Sequence, residues 1–167
     1  MKAVANDGLA LMYASEELKE NEKVVLEAVR NNGLALDYAA LSVRYNEKVL
    51  KLAIAKNPAV LEQLPTHVRQ NFCLMRSLTF IAVSGDGLSL EYTTEYLKTD
   101  EDIVKYAIKQ NGLAIRYANP EFLTNKEAML LAVRQNGEAL QYAGFQLKDN
   151  ETVVRAAINQ NRDSIRY

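Results

Sequence analysis

Two side chains in this sequence could by type share nucleophilic work, Cys73 and His67, since a thiolate attacks and an imidazole can take its proton. They are the only cysteine and the only histidine. Phe72 and Leu74 give Cys73 apolar neighbours, and no acid is clearly placed to orient His67. A lone cysteine among apolar residues usually packs as a small hydrophobe. A thiol enzyme centred on Cys73 is therefore an alternative, and the reading is that the chain has no catalytic residue and is not an enzyme. One Cys and one His cannot supply zinc-ligand spacing, and the sequence contains no Gly-rich phosphate loop, so neither metal nor cofactor is expected.

The remaining chemistry lies in columns of residues that recur along the chain. Tyrosine returns at Tyr13, Tyr38, Tyr92, Tyr117, Tyr142 and Tyr167, as base-stacking platforms or, as the reading prefers, as core side chains with one bonded hydroxyl. Asparagine returns at Asn32, Asn57, Asn111, Asn136 and Asn161, where a helix end beside glycine accounts for it without a ligand. Lys23, Arg30, Lys48, Lys51, Lys105, Lys109, Arg134 and Arg155 form a basic column that could follow a phosphate backbone, although Asp102 and Glu127 interrupt it. A solvated helix face is the preferred reading, and nucleic acid is not the expected partner. The most variable exposed column reads Met12, Asp37, Glu91, Arg116, Gln141 and Arg166. A rigid array that shows a different side chain from each unit is built for recognition, and unconstrained surface drift gives the same pattern. Both readings stand.

What places these columns is a tandem repeat of 25 residues that opens with Gly and closes with Asn. Repeats 1 and 2 are 8–32 and 33–57, and repeats 4, 5 and 6 are 87–111, 112–136 and 137–161. Repeat 3, 58–86, is irregular, and partial units occupy 1–7 and 162–167. Units of this length cannot bury their apolar faces alone, so they stack. Counting from the glycine as position 1, positions 2, 3, 4, 6 and 7 are apolar, as in Gly8 to Ala14, and predict a short, largely buried helix with position 5 outside its arc. Position 14 is Asn or Asp, which caps a second helix whose stripe is positions 17, 18, 21 and 22. Position 21 is Ala28, Ala53, Ala107, Ala132 and Ala157, which implies close approach of a neighbouring backbone. The Gly after each Asn is expected to close the second helix in a left-handed conformation. The fold class is therefore all-α, an α-solenoid of short antiparallel helical pairs in one repeat domain over 1–167. In repeat 3 Pro58 replaces the opening Gly, and four extra residues lengthen either the second helix, the favoured reading, or a loop.

Composition is that of a soluble chain: 49% hydrophobic, 25% charged and a net charge of -1. This balance gives no general attraction to nucleic acid or anionic membrane, and no apolar run reaches the ~20 residues that span a bilayer. One thiol fits a reducing compartment, so the expected location is cytoplasmic.

The run GLALMYASEELKENEKVVLEAVRNN and its copies resembles a family of tandem helical repeats classed as a domain of unknown function, frequent in large bacterial proteins that include effectors injected into host cells. The resemblance covers the chain except 58–86. It implies a non-catalytic scaffold for protein–protein interaction within a larger bacterial protein, delivered in some cases to a host cytosol without a classical signal peptide. The partial units carry no polar outer face, so end-to-end self-association is also expected.

Overall fold

The structure, a computed structural model, describes residues 2–166, except the side chain of Ile165. Among these residues there are helices of two kinds and no strand. The chain divides into two compact units, Met1–Ala82 and Val83–Tyr167, and the division falls inside the helix Phe72–Gly85.

Each regular repeat contains three elements. The first is a 3-10 turn, Gly8–Tyr13 in repeat 1 and Gly112–Tyr117 in repeat 5. The third is a ten-residue α-helix such as Glu22–Asn31 or Lys126–Gln135. Between them the sequence reading placed nothing, and the structure has a short element there: Glu16–Glu20, Leu41–Arg44, Leu97–Thr99, Glu121–Thr124 and Phe145–Lys148. In the N-terminal unit the opening turns of repeats 1 and 2 pack together, as do their long helices. In the C-terminal unit the turns Gly87–Tyr92, Gly112–Tyr117 and Gly137–Tyr142 pack in series, and so do the long helices Glu101–Gln110, Lys126–Gln135 and Glu151–Gln160.

The long helices form where the caps and stripe require. Asn21, Asn46, Asp100, Asn125 and Asn150 each accept backbone N–H bonds from the first turn, a contribution of about 1 kcal/mol per cap. Val49, Leu50, Ala53 and Ile54 are fully buried, and so are Ile103, Val104, Ala107 and Ile108. In repeat 3 the extra residues lengthen the helix: Asn71 Oδ1 accepts from Leu74 N at 3.1 Å, and Phe72–Gly85 runs for 14 residues.

The 3-10 geometry changes the expected arc. At three residues per turn, positions i and i+3 lie one above the other, so a turn of six residues has three columns rather than one face. Positions 1, 3 and 4 (Gly33, Ala35, Leu36) are buried, positions 2 and 5 (Leu34, Asp37) are exposed, and position 6 (Tyr38) is half-buried. The tyrosines are consequently not core residues. Tyr38, Tyr92, Tyr117 and Tyr142 are half-buried and Tyr13 is 84% exposed, while Tyr167 lies outside the described residues.

The glycines also have a different reason from the one expected. No glycine has a positive φ. A Cβ built on Gly33 would come to 2.7 Å from the Ala53 carbonyl oxygen, and one on Gly137 to 2.6 Å from that of Ala157. Gly8, Gly87 and Gly112 meet Ala28, Ala107 and Ala132 in the same way. The position-1 backbone thus packs against the position-21 carbonyl of its own repeat, and only glycine fits. The position-25 asparagines then cap forward. Asn32, Asn111 and Asn136 accept from Leu34, Leu113 and Glu138 N–H and start the next 3-10 turn.

Candidate recognition surface

Position 5 is the outward column of the opening turns, whereas position 2 is exposed at Leu34 and half-buried at Leu9, Leu88, Leu113 and Glu138. Met12 and Asp37 are exposed on the N-terminal unit. In the C-terminal unit the series packing of the turns brings Glu91, Arg116, Gln141 and Arg166 into one row, in which Gln141 is half-buried and the others are exposed. Gln141 Nε2 donates to the Glu138 carbonyl at 3.1 Å, and Arg166 reaches Asp163 at 3.4 Å.

Arg116 is the most constrained member of the row. Its guanidinium lies over the Tyr117 ring, 4.4 Å from the centroid, donates to the Tyr117 hydroxyl, and donates to the Tyr142 hydroxyl of the following repeat at 3.5 Å. The hydrogen bonds to Tyr142 and Tyr117 hold its pKa above the ordinary arginine value. The half-exposed tyrosine column and the position-5 column thus form one surface. An α-helical wheel cannot show that, because it turns Tyr117 inward.

The basic column on the long helices is largely neutralised in place. Arg30 pairs with Glu27 at 2.7 Å, Lys51 with Glu47 at 2.6 Å and Arg155 with Glu151 at 2.5 Å. Lys48 reaches Glu22 of the preceding repeat at 3.6 Å. Lys105 bonds both Glu101 at 2.7 Å and Glu127 of the next repeat at 3.0 Å, and these bonds, Glu101 first, raise its pKa. Arg134 and Arg155 line an open depression together with Asn159 and Gln160, with Glu151 beside them. Lys23 and Lys109 are exposed.

Cys73 is exposed in the first turn of Phe72–Gly85. His67 is exposed on Thr66–Arg69, and its ring stands edge-on to Tyr45 with centroids 5.2 Å apart. No three His, Cys, Asp or Glu among the described residues gather as a metal site, and no described helix is long and apolar enough to cross a membrane.

Sequence reasoning missed two hydrogen-bond series that tie repeats together. At position 24, Gln135 Oε1 accepts from Gly112 N at 2.5 Å while Gln135 Nε2 donates to the Gln110 carbonyl at 3.3 Å. Gln160 repeats this with Gly137 and Gln135, and Asn31 with Gly8 and the carbonyls of Ala5 and Asn6. At position 8, the N–H groups of Ala40, Asn119 and Gly144 donate to Lys19, Lys98 and Leu123 carbonyls of the preceding repeat. The recurring amides Asn31, Gln110, Gln135 and Gln160 were the legible trace of the first series.

Three-element units that stack like on like, with cross-repeat hydrogen bonds, define an all-α tandem-repeat protein. The profile of the family described as Domain of unknown function (DUF4116) matches residues 1–44, 22–69, 76–123 and 125–167, each match close to two of the 25-residue units. The chain belongs to that family. No curated protein matches the sequence, and no solved structure matches it either.

Proposed function

We propose that this chain is a non-catalytic scaffold that recognises another protein through the outward column of its opening turns: Met12 and Asp37 on one unit, and Glu91, Arg116, Gln141 and Arg166 on the other. It acts as a segment of a larger bacterial protein, of the secreted-effector kind, in a cytoplasm, including a host cytosol. The observation that carries the reading is the arrangement of Arg116, stacked on Tyr117 and bonded to Tyr142. Arg and Tyr are the residue types that most often anchor interfaces, and a side chain already held in place loses less entropy on binding. The ion pairs within the basic column speak against a phosphate backbone as the ligand, because those cations already have carboxylates.

Capture of a partner by the intact chain from cytosol, followed by kinetics with the double variant Arg116→Glu and Arg166→Glu, tests the reading. Both side chains are exposed, so helical content stays unchanged while the association rate falls. Full retention of binding in that variant, with loss on charge reversal at Lys105 and Arg134, moves recognition to the outer face of the long helices. A steep salt dependence of RNA or DNA binding would support the nucleic-acid reading instead, and selective alkylation of Cys73 at neutral pH the thiol-enzyme one.

A further inference from the structure

Three of the repeat junctions are the dipeptide Asn-Gly: Asn32-Gly33, Asn111-Gly112 and Asn136-Gly137. An asparagine followed by glycine can lose its side-chain amide, because the glycine nitrogen, unshielded by a Cβ, is able to reach the side-chain carbonyl carbon. The three pairs are held almost identically. Their asparagines are half-buried and extended, with ψ of 116°, 113° and 111°. Each Oδ1 accepts from the N–H two residues on, at 3.0, 3.1 and 3.0 Å, and each main-chain carbonyl accepts from the N–H three residues on, at 2.9, 2.9 and 3.0 Å. Neither water access nor local backbone separates them.

What separates them is the glycine N–H. Gly112 N donates to Gln135 Oε1 at 2.5 Å, and Gly137 N donates to Gln160 Oε1 at 2.6 Å. In repeat 2 the same position 24 is Lys56, an exposed ammonium with no acceptor atom, and the Gly33 N–H has no acceptor among the described residues. We propose that Asn32 is a site of spontaneous deamidation, and that Gln135 and Gln160 protect Asn111 and Asn136 from the same reaction. With the asparagine extended, the peptide plane between it and the glycine must turn before the nitrogen faces Cγ. A hydrogen bond on that N–H resists the turn.

The reaction consumes water and releases ammonia. Gly33 N gives its proton to solvent and attacks Asn32 Cγ; the bond from Cγ to Nδ2 breaks, ammonia leaves with a proton from solvent, and a cyclic imide remains. Water then opens one of the two C–N bonds of the imide. Opening at Cγ leaves aspartate, which the turn accepts: Asp7 and Asp86 stand at the same position and accept from Leu9 N at 3.0 Å and Leu88 N at 2.9 Å. Opening at the main-chain carbonyl leaves iso-aspartate, which adds a methylene to the main chain just ahead of Gly33. Gly33 is packed so closely on the Ala53 carbonyl that a Cβ would lie 2.7 Å from its oxygen, so the iso-aspartyl product loosens that contact and the aspartyl product does not.

The test is incubation of the intact chain at mildly alkaline pH, with peptide mass mapping of the three pairs over time. Asn32 is expected to convert about tenfold faster than Asn111 and Asn136, the factor that one hydrogen bond controls. Lys56→Gln supplies the missing acceptor and is expected to bring Asn32 down to the rate of the other two. Lys56→Met removes the charge without supplying an acceptor and leaves Asn32 fast. Circular dichroism checks that both variants keep their helices. In urea above the unfolding transition the three rates converge. Equal rates in the folded chain overturn the proposal, as does a folded Lys56→Gln chain whose Asn32 converts as fast as before, or a Lys56→Met chain slowed as much as Lys56→Gln. A lead of Asn32 that persists in urea overturns it too, since flanking sequence and not the bond would then set the rate.

Discussion

Replacing Gly33 by alanine separates packing from backbone conformation. Gly33 opens a 3-10 turn and has no positive φ, so its backbone is one that alanine adopts freely. On that ground alone the change would stabilise by about 0.4–1 kcal/mol, because alanine restricts the unfolded chain. The new Cβ, however, would lie 2.7 Å from the Ala53 carbonyl oxygen, 3.0 Å from Asn57 Cβ and 3.1 Å from Asn57 N. Two of those atoms are backbone in the last turn of a helix and cannot swing away. Overpacking costs about 1–3 kcal/mol, and a clash with backbone that cannot move belongs in the upper part of that range, about 2–3 kcal/mol, so packing wins and the net loss is about 1–2 kcal/mol. For a chain of this size that is a fall of about 2–8 °C in Tm. Gly85 is the control: a Cβ there meets nothing within 4 Å, so Gly85→Ala should be neutral or raise Tm slightly. Thermal unfolding followed by circular dichroism reads both. If Gly33→Ala melts at or above the unsubstituted chain, the close approach of position 1 to position 21 is wrong.

Ala132→Leu, at a fully buried position, should destabilise by about 1–3 kcal/mol; an unchanged urea midpoint would mean that the stripe has room for the larger side chain. Gln135→Leu removes the acceptor of the Gly112 N–H and the donor to Gln110, with an expected loss of about 1–2 kcal/mol, and amide exchange at Gly112 should quicken; unaltered exchange would show that this bond does not protect the junction. Lys105 has a raised pKa, so its pairing with Glu101 and Glu127 stabilises the fold at pH values below the ordinary lysine value and is lost as pH rises through the folded value. Glu127→Gln should lower the Lys105 titration midpoint measured by NMR, and a midpoint that does not move would remove Glu127 as a partner across the repeats.

The sequence by itself determined whatever depends on a local pattern repeated in register. The 25-residue period, the Asn or Asp caps at position 14 and the stripe of positions 17, 18, 21 and 22 each specify a helix and the face it buries. The unbroken run from Phe72 likewise signalled that repeat 3 lengthens a helix. The outward side of position 5 was legible too, because 3-10 and α geometries both leave Arg116 outside. Tertiary structure decided the rest. An apolar string such as GLALMY has similar patterning under 100° and 120° of rotation per residue, so the choice of a 3-10 turn, and with it the half-exposed tyrosines and the Arg116–Tyr117–Tyr142 cluster, rests on what packs against it. The glycines carry the same lesson. A Gly beside a helix end fits either a left-handed turn or a close approach, and only the Ala carbonyl of its own repeat, 20 residues away in the chain and within a Cβ's reach in space, distinguishes them.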